Sequence, residues 1–344
     1  MTKFFVTNEI NDIDFDAWGK FVESNPHGNI FQSPDLFVVY RRIPNFVPSV
    51  IIVQEQDEIV GCLSSVIQKE GKGVVGFMTE RSIVMGGPLA RNNDLEIISL
   101  LLQEYLRNTE KNAIYSQFRN LFDVSFAKEV FKLYGFEYEK HLDILIDITP
   151  PIETIRLNVS KNKRGNISKS LNKGVSFIEV TDKENYIKCI DLVRKTYNRI
   201  GLPCPGHEYF FAFYDELHKK ALLKIFALES ENKLIGTRFE LCYKDTVYDW
   251  WAGADDDYKN FYPNDVIPYQ ILIWGNQNGY KVFDFGGAGK PEVPYGVRDH
   301  KMKFGGELVE FGRFELVHKK ALMQVGKIGL RLYKKIKKYA GSKG

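Results

Sequence analysis

The order of elements that can be read along this chain occurs twice, and that repetition limits the fold more than any other feature. In the first half, a helical pattern at Phe15 to Val22 precedes VPSVIIVQ, EIVGCLSSVIQ and VVGFMT. These runs are rich in Val and Ile, suit strands, and are separated by Gln56-Asp57 and Gly71-Lys72-Gly73. SIVMGGPLARNN then runs from a strand through a Gly-Gly-Pro turn to LEIISLLLQEYL, a helix capped by Asn93 or Asp94. AIYSQFR reads as a strand, VSFAKEVFKLY as a helix, and FEYEKHLDILIDI as one strand ending at Pro150-Pro151. In the second half, helices at Asn185 to Arg199 and His207 to Lys219 precede the strands LLKIFALE, KLIGTRFELCY and TVYDWWAG. A loop with Tyr262-Pro263 leads to a helix capped by Asn264 or Asp265; the strand KVFDFGG and a strand pair around LVEFGRFELV follow. EIVGCLSSVI aligns with KLIGTRFELC, MGGPLARNNDLE with NFYPNDVIPY, and YSQFRN with VFDFGG. The fold predicted is mixed α/β: tandem units at 1–150 and 151–317, then a tail at 318–344.

A chain of 344 residues with 44% apolar side chains can build two cores, and its 25 Phe and 18 Tyr favour sheets. No run approaches the length of a membrane span, and the acidic start MTKFFVTNEINDIDFD is not a signal peptide, which predicts a cytoplasmic protein. Cys62, Cys189, Cys204 and Cys242 lack metal or redox spacing and read as reduced thiols. The net charge of +3 is uneven: nine of the 47 cations and no acid lie from His318 onward, leaving 38 cations against 44 acids elsewhere. As a helix, this tail puts Leu322, Val325, Ile328, Leu332, Ile336 and Tyr339 on one face, with Lys327, Arg331, Lys334, Lys335 and Lys338 opposite. Such a helix suits an anionic membrane surface, which would make the protein peripheral at the inner face of the membrane; packing on the body and contact with tRNA are the alternatives.

A strand, a loop and a helix N-terminus, repeated in tandem, resemble the acetyltransferase-like (GNAT) fold as doubled in the Fem family. Members of that family add amino acids from aminoacyl-tRNA to peptidoglycan precursors. MGGPLARNNDLE resembles the family's Gly-Pro turn before a helix, and KNKRGNISKSLNKGV its basic segment. YDWWAGADDDYKNFYPNDVIPYQ resembles its aromatic strand and Pro-bearing loop, and GYKVFDFGG followed by YGVRDHKMKFGGE its C-terminal signature. Where the family usually has Phe-Lys, this chain has His300-Lys301, and it has no heptad run for the coiled-coil arm of some tRNA-dependent members.

The resemblance directs attention to several residues. Lys301 matches the family lysine; it would face the oxyanion formed in acyl transfer or a donor phosphate. Asp284, at a strand end, would orient the attacking amine or take its proton, or else cap the next turn. Gly286 and Gly287 would let a ligand approach closely, and Arg298, Lys303, Tyr295 and Tyr262 lie in the same signature stretches. Lys161, Lys163, Arg164 and Lys169 sit at a helix start, where cations oppose the dipole and call for an anion; a substrate diphosphate would supply it, with Arg164 and Lys161 as contacts. Adjacent Trp250 and Trp251 on a strand would point to opposite faces, one entering the core and one, taken as Trp251, stacking on a sugar or adenine. Arg119, at a first-half strand end beside an interdomain groove, is a further phosphate candidate.

There is no HExxH, Cys/His cluster, GxSxG or P-loop, so direct transfer without a bound cofactor or covalent enzyme intermediate is expected. The reading is transfer of an acyl or aminoacyl group to an amine on a nucleotide- or lipid-linked cell-envelope glycan precursor. Neither turn, Gly86-Gly87-Pro88 nor Phe261-Tyr262-Pro263-Asn264, has the RxxGxG/A form of acetyl-CoA users, and each proline lacks an N–H. Aminoacyl-tRNA and acyl-CoA both stand as donors. A non-catalytic module that holds a nucleotide-sugar or glycan is the alternative of another class.

Overall fold

The structure, a computed structural model, describes residues 4–69 and 80–324. VVGFMT and most of the basic tail, 325–344, lie outside the described residues. The chain divides into two units, one of residues 1–139 and 311–344, the other of residues 140–310.

The sheet of the first unit runs β1 (Phe4–Thr7), β2 (Phe46–Glu55), β3 (Glu58–Gln68), β4 (Arg81–Met85), β6 (Tyr115–Arg119), β15 (Arg313–Val317), β7 (Glu137–Glu139), with β5 (Leu89–Ala90) on β3. Helix α1 (Phe15–Ser24) starts at Asp14, whose side chain accepts the Asp16 and Ala17 N–H groups. Helix α2 (Pro34–Arg42) starts at Ser33 with proline in its first turn, a signal the sequence reading passes over. Helix α3 (Leu95–Thr109), capped by Asp94, connects β4 to the parallel strand β6 and buries Ile97, Ile98, Leu101, Leu102 and Tyr105. Helix α4 (Lys128–Leu133) buries Phe131 against Phe314 of β15, ring centroids 3.9 Å apart.

The second sheet runs β14 (Glu307–Glu310), β8 (Leu142–Asp147), β13 (Val282–Gly289), β12 (Thr246–Ala254), β11 (Lys233–Tyr243), β10 (Leu223–Ser230), β9 (Ser176–Glu179). Around it lie α5 (Ile152–Asn158), α6 (Lys161–Leu171), α7 (Lys183–Ile200), α8 (His207–Leu217), α9 (Pro263–Gln277) and α10 (Gly296–Met302). Helix α9 connects β12 to the parallel strand β13 as α3 connects β4 to β6. The shared Ile/Val-Gly register has a steric cause. A Cβ at Gly61 of β3 would lie 2.4 Å from Ile97 of α3, and one at Gly236 of β11 would lie 2.6 Å from Pro263 of α9. In each unit the crossing helix rests on its strand where a side chain is missing.

Two expectations change here. FEYEKHLDILIDI is not one strand: it breaks at Lys140-His141, and β7 joins the first sheet while β8 joins the second. LVEFGRFELV is not a hairpin: β14 pairs with β8, and β15 lies between β6 and β7. Each connector is two residues long and carries the chain onward to the other sheet. The strand next to β6 in one sheet and the strand next to β13 in the other thus each come from the other half of the sequence. The unit boundaries fall at these connectors, not at Pro150-Pro151 or Val317.

Candidate active site

The second unit contains a parting of two parallel strands. The β12–β13 ladder pairs Thr246 with Val282, Val247 with Phe283 and Tyr248 with Asp284, then stops. Beyond it β12 stays with β11, β13 stays with β8, and the carbonyls of Phe285 and Gly286 lose their strand partner. Lys301 of α10 replaces it: its Nζ donates to the Phe285 carbonyl and, at 3.4 Å, to that of Gly286. Gly286 turns the strand at φ +74°, which a side-chain-bearing residue resists; a Cβ there would lie 3.8 Å from both the Asp249 carbonyl and Lys301 Nζ. Gly287 is exposed and lies opposite Asp143 of β8.

Charged groups gather around this opening. Asp284 accepts the Gly286 N–H at 2.8 Å and is buried beside Asp143. Burial first, and Asp143 second, push the Asp284 carboxyl well above the usual range. Arg238 and Glu240 share a face of β11; Arg238 donates to Asp249, and Asp249 lies directly across from Glu240. Burial lowers the Lys301 pKa, while Asp249, Asp143 and Asp284 act in the opposite sense. The unit 1 counterpart is closed. There the ladder runs from Arg81–Tyr115 to Met85–Arg119, the Gly86 N–H extends it to the Arg119 carbonyl at 2.9 Å, and Gln32 bonds the Met85 and Ser64 carbonyls.

The basic segment finds its anion inside the protein. Lys163 is buried, donates to Asp265 and lies 3.0 Å from Nδ1 of His300; Asn166 donates to the other Asp265 oxygen at 2.8 Å. Burial first, and Lys163 second, lower the His300 pKa to about 4, so the imidazole is neutral. Arg164 spends Nη1 on the Leu157 and Val159 carbonyls, 2.8 and 2.9 Å away, closing α5. Lys161 and Lys169 are exposed.

Neither crossing helix presents a ring of N–H groups to a phosphate. Helix α9 begins after Tyr262, not at Asn264 or Asp265. Tyr262 sits at φ +50° and its carbonyl accepts the Asp265 and Val266 N–H groups at 2.8 and 3.0 Å. Pro263 has none to give. At α3, the Asp94 carboxylate takes the Glu96 and Ile97 N–H groups.

Trp250 and Trp251 do not face opposite ways. A bulge between Phe239 and Glu240 leaves Trp250 outside the β11 register, and both indoles turn to α8. Trp250 Nε1 donates to Tyr209 at 3.2 Å, and the Trp251 ring lies 5.9 Å from that of Tyr209 and 4.9 Å from Tyr197. Tyr295 is exposed and packs on Gly289. Arg298 ties the loop before α10, donating to the Lys290 and Val293 carbonyls at 2.9 and 2.8 Å. Lys303 is exposed at the end of α10. Arg119 belongs to the first unit, where Nε donates to Gln117 at 2.7 Å; burial, Arg313 and Arg81 lower its pKa to about 10. The structure therefore gathers Lys301, Asp284 and Gly286 around the opening, and gives Arg164 and Arg298 contacts with their own backbone. Arg238, Glu240, Asp249 and Asp143 escape the sequence reading. The one sequence signal, for Arg238 and Glu240, is a buried-looking strand, TRFELCY, with charges at alternate positions.

Residues 159–302 match the family model described as an acetyltransferase (GNAT) domain. A lipid II:glycine glycyltransferase of Staphylococcus haemolyticus (strain JCSC1435) is 21% identical over 410 aligned positions, covering 94% of this chain and 95% of that protein. The crystal structure of FemX superposes with a TM-score of 0.73 at 15% identity, covering 94% of this chain and 99% of FemX. L-PGS from Bacillus licheniformis gives 0.58 at 14% identity, covering 93% and 96% of the two chains. A tandem GNAT protein of the clavulanic acid pathway gives 0.55 at 8% identity, covering 92% and 99%. The doubled fold, the acetyltransferase (GNAT) domain matched at residues 159–302 and the full-length relative together liken this chain to the Fem-type transferases built from two acetyltransferase-like units.

Proposed function

We propose that the protein moves an aminoacyl group from a charged tRNA to an amine of a lipid- or nucleotide-linked peptidoglycan precursor, with Lys301 at the reacting carbonyl. The observation that carries this reading is Lys301 Nζ in the opening between β12 and β13, holding two carbonyls that strand pairing has released. An ammonium has three N–H groups, so a third direction serves a substrate oxygen. The amine attacks the ester carbonyl, a C–N bond forms, and the oxygen takes negative charge beside Lys301. Collapse breaks the C–O bond to the ribose, whose oxygen takes the proton released by the amine. Asp284 acts here as a positioning residue: it fixes the Gly286 turn that aims the two carbonyls at Lys301.

The helix starts support an ester donor over an acyl-CoA. At α9 the N–H groups that a pyrophosphate would use are missing at Pro263 and taken at Asp265 and Val266. The glycyltransferase relative, which spans nearly the whole chain, supports the acceptor class. No helix among the described residues is long and apolar enough to cross a membrane. Reaching a lipid-linked acceptor would therefore fall to a surface such as the tail, and vesicle flotation of the chain with and without residues 318–344 tests that part.

Lys301→Met tests the central assignment. With glycyl-tRNA and lipid II, it should lower kcat by about a hundredfold, the cost of removing one preorganised donor to an oxyanion. Unchanged turnover would remove Lys301 from the reaction.

A further inference from the structure

Glu240 is fully buried on β11, and among the described residues neither of its carboxyl oxygens has a hydrogen-bond partner. The hydrogen bonds of the cations near it go to other groups, and Arg238 Nε, also buried, has no partner either among the described residues. Arg238, two positions along the same face, gives Nη1 to Asp249, and Lys301 gives Nζ to the carbonyls of Phe285 and Gly286. Burial, with the Asp249 charge second, pushes the Glu240 carboxyl well above the usual range. A buried carboxyl without a donor is costly whether or not it is ionised. That cost falls when a ligand brings a charged N–H donor.

We propose that Glu240, with Asp249 beside it, receives the α-ammonium of the aminoacyl group being transferred, which makes the site select aminoacyl esters over plain acyl donors. This rests on the aminoacyl-transfer reading above. A substrate whose carbonyl oxygen meets Lys301 carries its α-nitrogen two bonds from that carbonyl carbon. Glu240 lies directly across from Asp249, and the Asp249 carbonyl and Lys301 Nζ each lie 3.8 Å from the point a Cβ would take at Gly286, so the acids and the cation flank one turn. The acceptor amine does not suit the role, because it must shed its charge to attack, whereas the donor ammonium stays charged throughout. A metal ion does not suit it either: no group of three or more His, Cys, Asp or Glu able to hold one occurs among the described residues. The parted strands give the route in, since the Asp249 carbonyl borders Gly286 at the opening.

The test compares glycyl-tRNA with glycolyl-tRNA, the same ester with a hydroxyl for the α-amine, using lipid II as acceptor and the full chain as enzyme. The wild type should prefer the glycyl ester in kcat/KM by at least about tenfold, the size of one charge-assisted hydrogen bond. Glu240→Gln should bring that ratio close to one by slowing the glycyl ester alone, and Glu240→Asp, which keeps the charge, should retain a preference. Thermal melts of both variants separate misfolding from lost recognition; if Glu240→Gln does not fold, the wild-type ratio and the Asp variant decide. A wild-type ratio near one, an unchanged ratio in Glu240→Gln, or equal loss in the Gln and Asp variants overturns the proposal. Failure of the aminoacyl-transfer reading is a separate result: the wild type then uses neither ester, and the proposal falls with it.

Discussion

Lys163 and Asp265 form an ion pair whose side chains are 6% and 11% exposed, so removing either partner strands a charge in the interior. Asp265→Ala should lower the unfolding free energy by about 3–5 kcal/mol in urea titrations, while Lys161→Ala, at an exposed position of the helix that carries Lys163, should change it by less than about 0.5 kcal/mol. His300 adds a pH dependence. Its folded pKa of about 4 lies below the ordinary 6.5, so the unfolded chain binds more protons between those values and stability is lost as pH falls through that window. Replacing it by the residue usual in the family, His300→Phe, should flatten this acid limb in melts between pH 7 and 4. None of this was legible in KNKRG, because its counter-ion stands 102 positions away. Lys301 stood out as a candidate because a signature surrounds it, but the carbonyls it holds become available only through a strand parting that no local pattern announces.

Strands and helices were read with more success than single side chains. The recurring Ile/Val-Gly pair pointed to equivalent strands, and the structure gives the pair a cause: α3 and α9 rest on β3 and β11 at Gly61 and Gly236. Gly236→Ala would press a methyl group against the Pro263 ring at the start of α9. It should destabilise by about 1–3 kcal/mol in denaturant titrations. Gly165→Ala is the control: it lies inside α6 with nothing within 4 Å of an added Cβ, and should stabilise by about 0.5–1 kcal/mol through helix propensity. The tryptophan reading failed at this scale. Alternation along a strand holds until an extra residue enters it, and the bulge at Trp250 answers to the partner strand, not to its own sequence.

For the whole molecule, two tandem units were visible in the sequence, but the way they share strands was not. Pro150-Pro151 breaks the pattern, yet β8 precedes it and belongs to the sheet that follows, while β15 returns to the first sheet. Propensity marks where a strand is; pairing over long separations decides whose strand it is. A fragment of residues 140–310 holds all seven strands of its sheet and should unfold cooperatively; one of residues 151–317 lacks β8, exposes the β13 and β14 edges, and should aggregate. The β12–β13 ladder opens in the second unit where its β4–β6 counterpart in the first is closed, and this asymmetry supports the proposal of a site in the second unit, with an ester donor. The most direct test is the intact mass of a peptidoglycan precursor after incubation with the purified chain, charged tRNA and acetyl-CoA together. The account predicts a gain of one aminoacyl residue that disappears when the tRNA is deacylated; a gain of an acetyl group drawn from the acetyl-CoA would contradict it.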